Sequence, residues 1–300
     1  MKKFFLISLS FNLSHNIFDL KEEVISGSYY HGNYEFFQIR EPKLRDIHKA
    51  TVRDRIMHHA IYRAVYPYFD KLFIFDSYSC RLDKGTHKAL ARFKSFVRKE
   101  SLNNTKTVWI LKGDIRKCFA SIDHQILKNI ISRHIICPKS IQVIYAVIDS
   151  FPKGIPLGNL TSQLFINLYL NEFDQYVKRV LKVSKYIRYA DDFVIFSRNK
   201  IWLENLILDI KIFLADNLKL ELHPDKVFIK TASSGLDFLG WVHFEKYHIL
   251  RTRTKIRMYQ TIFPDTKSEV IASYLGLLDY GNTFKIKTDL LEKIEHLKDL

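Results

Sequence analysis

The 300-residue sequence has few of the residues that break or staple a chain: ten glycines, seven prolines and three cysteines. So little glycine and proline excludes long flexible linkers, and no repeat or low-complexity tract is present. Cys80, Cys118 and Cys137 lack metal-ligand spacing and leave one thiol over in any bridging scheme. That usage points to a reducing compartment, with a cytoplasmic location expected. No stretch approaches the ~20 apolar residues of a membrane span; the apolar segment 201–214 is broken by Glu204, Asp209 and Lys211. The opening MKKFFLISLSFNLSHN starts as a secretory leader would. Ser8, Ser10, Asn12 and Ser14 interrupt it, however, and no small-residue cleavage site follows, so it is expected to be a first core strand.

Charge of one sign is abundant. Lys and Arg number 47 against 32 Asp and Glu, a net charge of +15. Such a surplus attracts polyanions, nucleic acid first and an anionic membrane surface second. With 47% hydrophobic residues the composition is ordinary globular, which excludes a disordered, collagenous or disulfide-dense chain.

Periodicity predicts a helix over 51–66, a buried strand over 107–112, and an amphipathic helix over 122–136 that Asp123 can cap. A loop punctuated by Pro152, Gly154, Pro156 and Gly158 precedes a helix from about 162 to 180. Residues 185–197 read as two strands around Ala190-Asp191-Asp192. A helix over 201–215 follows, then strand, turn and strand over 218–230, and a basic, then helical, tail from about 246. The fold class is α+β. His58 and His59, adjacent on one helix, cannot both face a metal, and His87, His124 and His134 show no zinc spacing. All are read as structural or surface residues.

Two acidic sites stand out. Asp191 and Asp192 lie between apolar half-strands, and Asp114 ends another apolar strand. An Asp-Asp pair in a hairpin is commonly only a turn. Carboxylates at the ends of neighbouring strands can instead share hard divalent cations, which take oxygen ligands and substrate phosphates. Lys112, Arg116 and Lys117 around one site, and Lys185 and Arg188 around the other, suit a metal-bridged phosphate substrate.

The ordered set of motifs is similar to a known family. YADD at 189–192 resembles the YxDD box of reverse transcriptases, and LKGDIRKCFASIDH at 111–124 resembles their preceding aspartate motif. PKGIPLGNLTSQLFINLYLNEFDQYVK at 152–178 resembles the intervening loop and helix. Its Leu157-Gly158 followed by Ser162-Gln163 resembles the form found in diversity-generating retroelements. Segments 54–89, 235–241 (GLDFLGW) and 273–285 extend the similarity across about 35–300.

The resemblance implies a right-hand polymerase: fingers over 1–106 and 124–150, palm over 107–123 and 151–245, and a short thumb over 246–300. It implies RNA-templated DNA synthesis, error-prone at template adenines. Asp114 and Asp191, with Asp192 less directly and the Ile115 carbonyl, match positions that bind two magnesium ions. Lys43 and Arg45 match residues that hold the incoming triphosphate, and Lys226 a lysine near the leaving phosphates. Phe119 matches the aromatic that closes the sugar pocket against a 2′-hydroxyl. Gly158 permits close backbone approach to the nascent pair, where Leu157 offers no hydrogen bond, or else packs beneath the loop. Ser162 and Gln163 cap or open the next helix. Arg251, Arg253, Lys255 and Arg257 alternate, so a strand would set all four on one face toward the template-primer backbone. Implied partners are template RNA and its heteroduplex with DNA, deoxynucleoside triphosphates and a small basic accessory protein, with no membrane. Two rivals remain: another bacterial reverse transcriptase (group II intron, CRISPR-linked or defence type) and a silent RNA-binding module of the same fold.

Overall fold

The computed structural model describes residues 13–40, 44–263 and 267–298. Helix α1 (Leu13–Ser26) precedes an antiparallel hairpin, β1 (Glu35–Ile39) and β2 (Arg45–Lys49). Every residue of β1 is exposed, so this hairpin stands outside the core. Of the expected first strand, residues 1–12 lie outside the described residues, as does Lys43, and its last four residues, 13–16, open α1 instead. Helices α2 (Val52–Phe69) and α3 (Thr86–Glu100) follow.

Next come β3 (Trp109–Asp114), the single turn α4 (Cys118–Ser121), α5 (His124–Ser132) and α6 (Pro138–Asp149). Asp123 caps α5 as the sequence predicts, accepting from the Ile126 amide at 3.0 Å. Helix α7 (Leu160–Gln175) continues into a π turn at Tyr176–Val180. Ser162 and Gln163 lie inside α7 rather than capping it, because Asn159 takes the N-cap position. The expected hairpin forms as β4 (Tyr186–Tyr189) and β5 (Asp192–Ser197), followed by α8 (Lys200–Leu218) and β6 (Phe228–Thr231).

Strands β4, β5, β3 and β6 make one antiparallel sheet in that order. The runs WIL and FVIF are apolar at every position because both faces of the sheet are covered. Leu111, Phe193 and Ile195 pack with α2, α5, α6, α7 and α8. Ile110, Val194 and Phe196 pack on the other face with α3 and the C-terminal elements. Gly113 pairs with Phe193 across the strands, and a Cβ there would meet the Phe193 ring at 2.2 Å, so only glycine fits.

The C-terminal part is a meander of β7 (Leu236–Phe238), β8 (Trp241–His243) and β9 (His248–Leu250), then α9 (Thr252–Ile262), α10 (Ser268–Leu278) and α11 (Phe284–Lys298). Here the structure corrects the expected strand at 251–257: Arg251 precedes α9, and Arg253, Lys255 and Arg257 are within it. Met258 and Ile262, four apart and both buried, set a helical period that the alternating charges mask. Residues two apart on a helix lie on nearly opposite sides, so the four cations do not share one face. Among the described residues, no helix is long and apolar enough to cross a membrane.

Candidate active site

Asp114 ends β3 and Asp192 opens β5, and the register places them directly opposite each other. Opposed residues of an antiparallel pair project from the same face, where two like charges destabilise the sheet. The chain therefore carries an unfavourable contact at the end of the two inner strands of this sheet. Asp191 sits in the turn between β4 and β5, after Ala190, whose φ is +54°. A non-glycine residue in that left-handed region is uncommon. The Asp191 carbonyl accepts from the Ile115 amide at 3.2 Å, which ties the hairpin to the end of β3.

Burial raises the Asp191 carboxyl above its usual range, and the Asp114 charge adds to the rise, while Lys226 and Arg45 oppose it. Asp192 is pushed up to about 6, mainly by burial; Lys112 opposes this, and Asp191 and Asp114 reinforce it. The Asp114 charge thus makes Asp191 and Asp192 harder to ionise, and Asp191 adds to the effect at Asp192.

One cation already serves Asp114. Past the end of β3 the segment 221–223 runs alongside: the Asp114 carbonyl accepts from the His223 amide at 2.7 Å, and Leu222 bridges to Ile115. The turn that follows brings Lys226 round, and its Nζ donates to both Asp114 oxygens at 3.0 and 3.1 Å. On the other side Lys112 Nζ stands 3.8 Å from Asp192. Among the described residues, no three His, Cys, Asp or Glu side chains form a ready-made metal cage. The expected three-aspartate set is therefore open, and part of its charge is balanced by lysine. Its donors are all carboxylate oxygens, which suits a hard cation that completes its shell with substrate phosphates and water.

The remaining predicted residues ring this centre unevenly. Arg45, in β2, is near enough for its charge to act on Asp191. Phe119 lies on α4, partly buried against the larger core, and its carbonyl accepts from the Ile155 amide at 2.8 Å. Leu157 is partly exposed, and its carbonyl accepts from the His48 amide at 2.9 Å, which attaches the loop to β2. Gly158 has φ of +113°, and a Cβ would come 2.7 Å from Ile47, so the turn needs glycine twice over. Arg251 is instead paired with Asp237.

Several contributors escape a reading of motifs. Asn159 stands where a helix cap is expected, yet its side chain turns to β2. Its Oδ1 accepts from the Ala50 amide at 3.0 Å, and its Nδ2 donates to the His48 carbonyl at 2.8 Å. His58 is buried, as a structural histidine should be, and its hydrogen bonds define a directed chain. His31 Nδ1 must donate to the Gly32 carbonyl at 2.7 Å. His58 Nε2 then donates to His31 Nε2 at 3.1 Å, and the Thr161 hydroxyl donates to His58 Nδ1 at 2.5 Å. Burial lowers His58 to about 4, with His31 and His59 helping and Asp54 opposing. Together these contacts fasten the loop at 157–159 and the start of α7 to the elements before them.

Comparison with known proteins identifies the family. The family described as reverse transcriptase (RNA-dependent DNA polymerase) matches residues 39–243. The chain is 26% identical to Protein YkfC of Escherichia coli (strain K12) over 306 residues, covering 86% of this chain and 78% of YkfC. It is 24% identical to the group II intron-encoded protein LtrA of Lactococcus lactis subsp. cremoris over 274 residues, covering 66% of this chain and 44% of LtrA. Among solved structures, telomerase from Candida tropicalis in complex with the TWJ fragment of telomeric RNA is similar at a TM-score of 0.57. That likeness carries 13% identity and covers 75% of this chain and 46% of the telomerase chain. The mixed sheet-and-helix arrangement is thus that of a right-hand polymerase.

Proposed function

This chain belongs to the reverse transcriptase family of RNA-dependent DNA polymerases, and from that premise we propose that Asp114 and Asp191 hold magnesium while deoxynucleotides are added to a primer 3′-hydroxyl along an RNA template. The observation that carries this reading is the meeting of Asp114, Asp191 and Asp192 at one end of the β3–β5 pair, where mutual repulsion favours a bound cation. Magnesium, when bound, supplies stabilisation of the attacking and leaving oxygens of an in-line displacement. The Ile115 carbonyl completes the protein's share of ligands, and Asp192 adds charge from the side. Lys226, once it leaves Asp114, meets the leaving phosphates, and Arg45 meets the triphosphate from β2 by charge and guanidinium geometry. Phe119 closes the sugar pocket. Little covalent work is left to the side chains, so positioning and charge dominate.

In this reading residues 1–106 and 124–150 are fingers, 107–123 and 151–245 palm, and 246–300 a short thumb. Template RNA, the heteroduplex and deoxynucleoside triphosphates are the ligands. Primer extension on an RNA template with magnesium tests it, with Asp191→Asn alongside. The wild type should extend while Asp191→Asn loses at least about 10²-fold of the rate and keeps its RNA affinity. RNA binding without extension by either protein would leave only the binding module.

Within the family we propose the diversity-generating type, supported by Leu157 in place of a hydrogen-bonding side chain and by Ser162-Gln163. A small basic accessory protein belongs to that reading. The similarity to LtrA favours a second reading, a polymerase of the group II intron type. Sequencing the extension products separates them: errors concentrated at template adenines favour the first, and an even spectrum the second.

A further inference from the structure

Behind the catalytic hairpin lies an ion pair that the reaction itself does not use. Arg188 of β4 and Asp174 of α7 are both fully buried. Burying two charges is costly unless each donor and acceptor is satisfied, and here all five guanidinium N–H groups have acceptors. Nε and one terminal nitrogen hold the two Asp174 oxygens at 2.8 and 2.7 Å. That terminal nitrogen also reaches the Ser77 hydroxyl at 3.2 Å. The other terminal nitrogen donates to Asn167 Oδ1 at 3.2 Å and to the Ala190 carbonyl at 3.0 Å. The Tyr186 hydroxyl donates to Asp174 at 2.7 Å. Main-chain bonds from Arg188 to Asp76 and Tyr78 lock the same residue into the 76–78 segment.

Four of those five contacts stay within the core, and the fifth reaches the hairpin tip. The Ala190 carbonyl belongs to the peptide on the N-terminal side of Asp191. The peptide on its C-terminal side is held by the Ile115 amide. Asp191 is therefore gripped on both sides, and one grip comes from a guanidinium that α7 and the 76–78 segment fix in place. It also steadies Ala190 at a φ of +54°.

We propose that Arg188 is a positioning residue for Asp191, setting the carboxylate where it can share a cation with Asp114. This rests on Asp191 being a metal-holding carboxylate. Lysine cannot substitute, because a single ammonium offers three donors and no planar fork.

The test is Arg188→Lys in the full chain, read by amide hydrogen exchange without nucleotide and by steady-state extension. Exchange across residues 189–193 should quicken by about tenfold or more while α8 stays at the wild-type rate. The kcat should fall by about 10²-fold, with KM for the nucleotide within about twofold. Wild-type exchange at 189–193 together with wild-type kcat overturns the proposal, as does acceleration spread evenly over the chain. Should Arg188→Lys fail to fold, Asn167→Ala removes the acceptor that shares a nitrogen with the Ala190 carbonyl. A smaller acceleration confined to 189–193 then supports the brace, and none refutes it. If the wild type and Asp191→Ala extend equally, the metal-holding role falls, and the exchange data still decide whether Arg188 holds the hairpin.

Discussion

Lys226 donates to both carboxylate oxygens of Asp114, at 3.0 and 3.1 Å, across 112 residues of sequence. The lysine side chain is 43% exposed, so the pair contributes no more than about 1 kcal/mol. An arriving divalent ion can displace it. Lys226→Met should therefore lower the Mn²⁺ midpoint of the nucleotide-free protein by about two- to fivefold, read by electron paramagnetic resonance. Extension should slow at the same time, because in the proposed reading Lys226 serves the leaving phosphates. An unchanged midpoint would show that the ammonium does not compete with metal for Asp114.

Phe119 is anchored from behind, through its carbonyl on the Ile155 amide and its packing against the larger core. Phe119→Ala removes the ring and leaves that main-chain bond in place. The ratio of kcat/KM for deoxy- over ribonucleotides should drop by at least about tenfold, measured by single-nucleotide incorporation. Equal ratios in variant and wild type would return Phe119 to a packing role.

Leu157 is attached to β2 through its carbonyl, and Asn159 adds two side-chain bonds, one to His48 of that strand and one to Ala50 just past its end. The loop's path therefore does not depend on the identity of side chain 157. Leu157→Gln should fold normally and reduce misincorporation opposite template adenines, scored by sequencing extension products. An error spectrum identical to wild type would mean that the leucine only packs.

His58 supplies a pH dependence outside the carboxylates. Its neighbours are His31, His59, Asp54 and Thr161, and burial holds it at about 4. A histidine harder to protonate folded than unfolded stabilises the fold above its unfolded value, near 6.5. That stability is lost as pH falls from there through about 4, because the unfolded chain binds the proton more readily. The thermal midpoint should thus decline over that window, and less steeply in His58→Gln. Parallel curves would remove His58 as the cause.

Much of this arrangement is written locally in the chain. The hairpin around 190–192 follows from two apolar half-strands flanking polar turn residues, and the start of α5 from Asp123 ahead of an apolar stripe. The order of motifs carries the candidate carboxylates. What escapes a local reading is made by partners far apart in sequence. Lys226 reaches Asp114 only because segment 221–223 pairs beyond the end of β3. Arg188 reads as one more basic residue near the acids, yet its guanidinium points into the core toward α7. The stretch at 251–257 misleads for a different reason. Its charges alternate as a strand's would, while the two residues that fix its period, Met258 and Ile262, lie beyond it.

The central sheet has a consequence for how the molecule melts. Strand β3 sends Ile110 into one core and Leu111 into the other. Pulling β3 out of either core removes its contribution to the other. The two are expected to melt in one cooperative transition, and a ligand that stabilises either side of the sheet should raise the melting temperature of both.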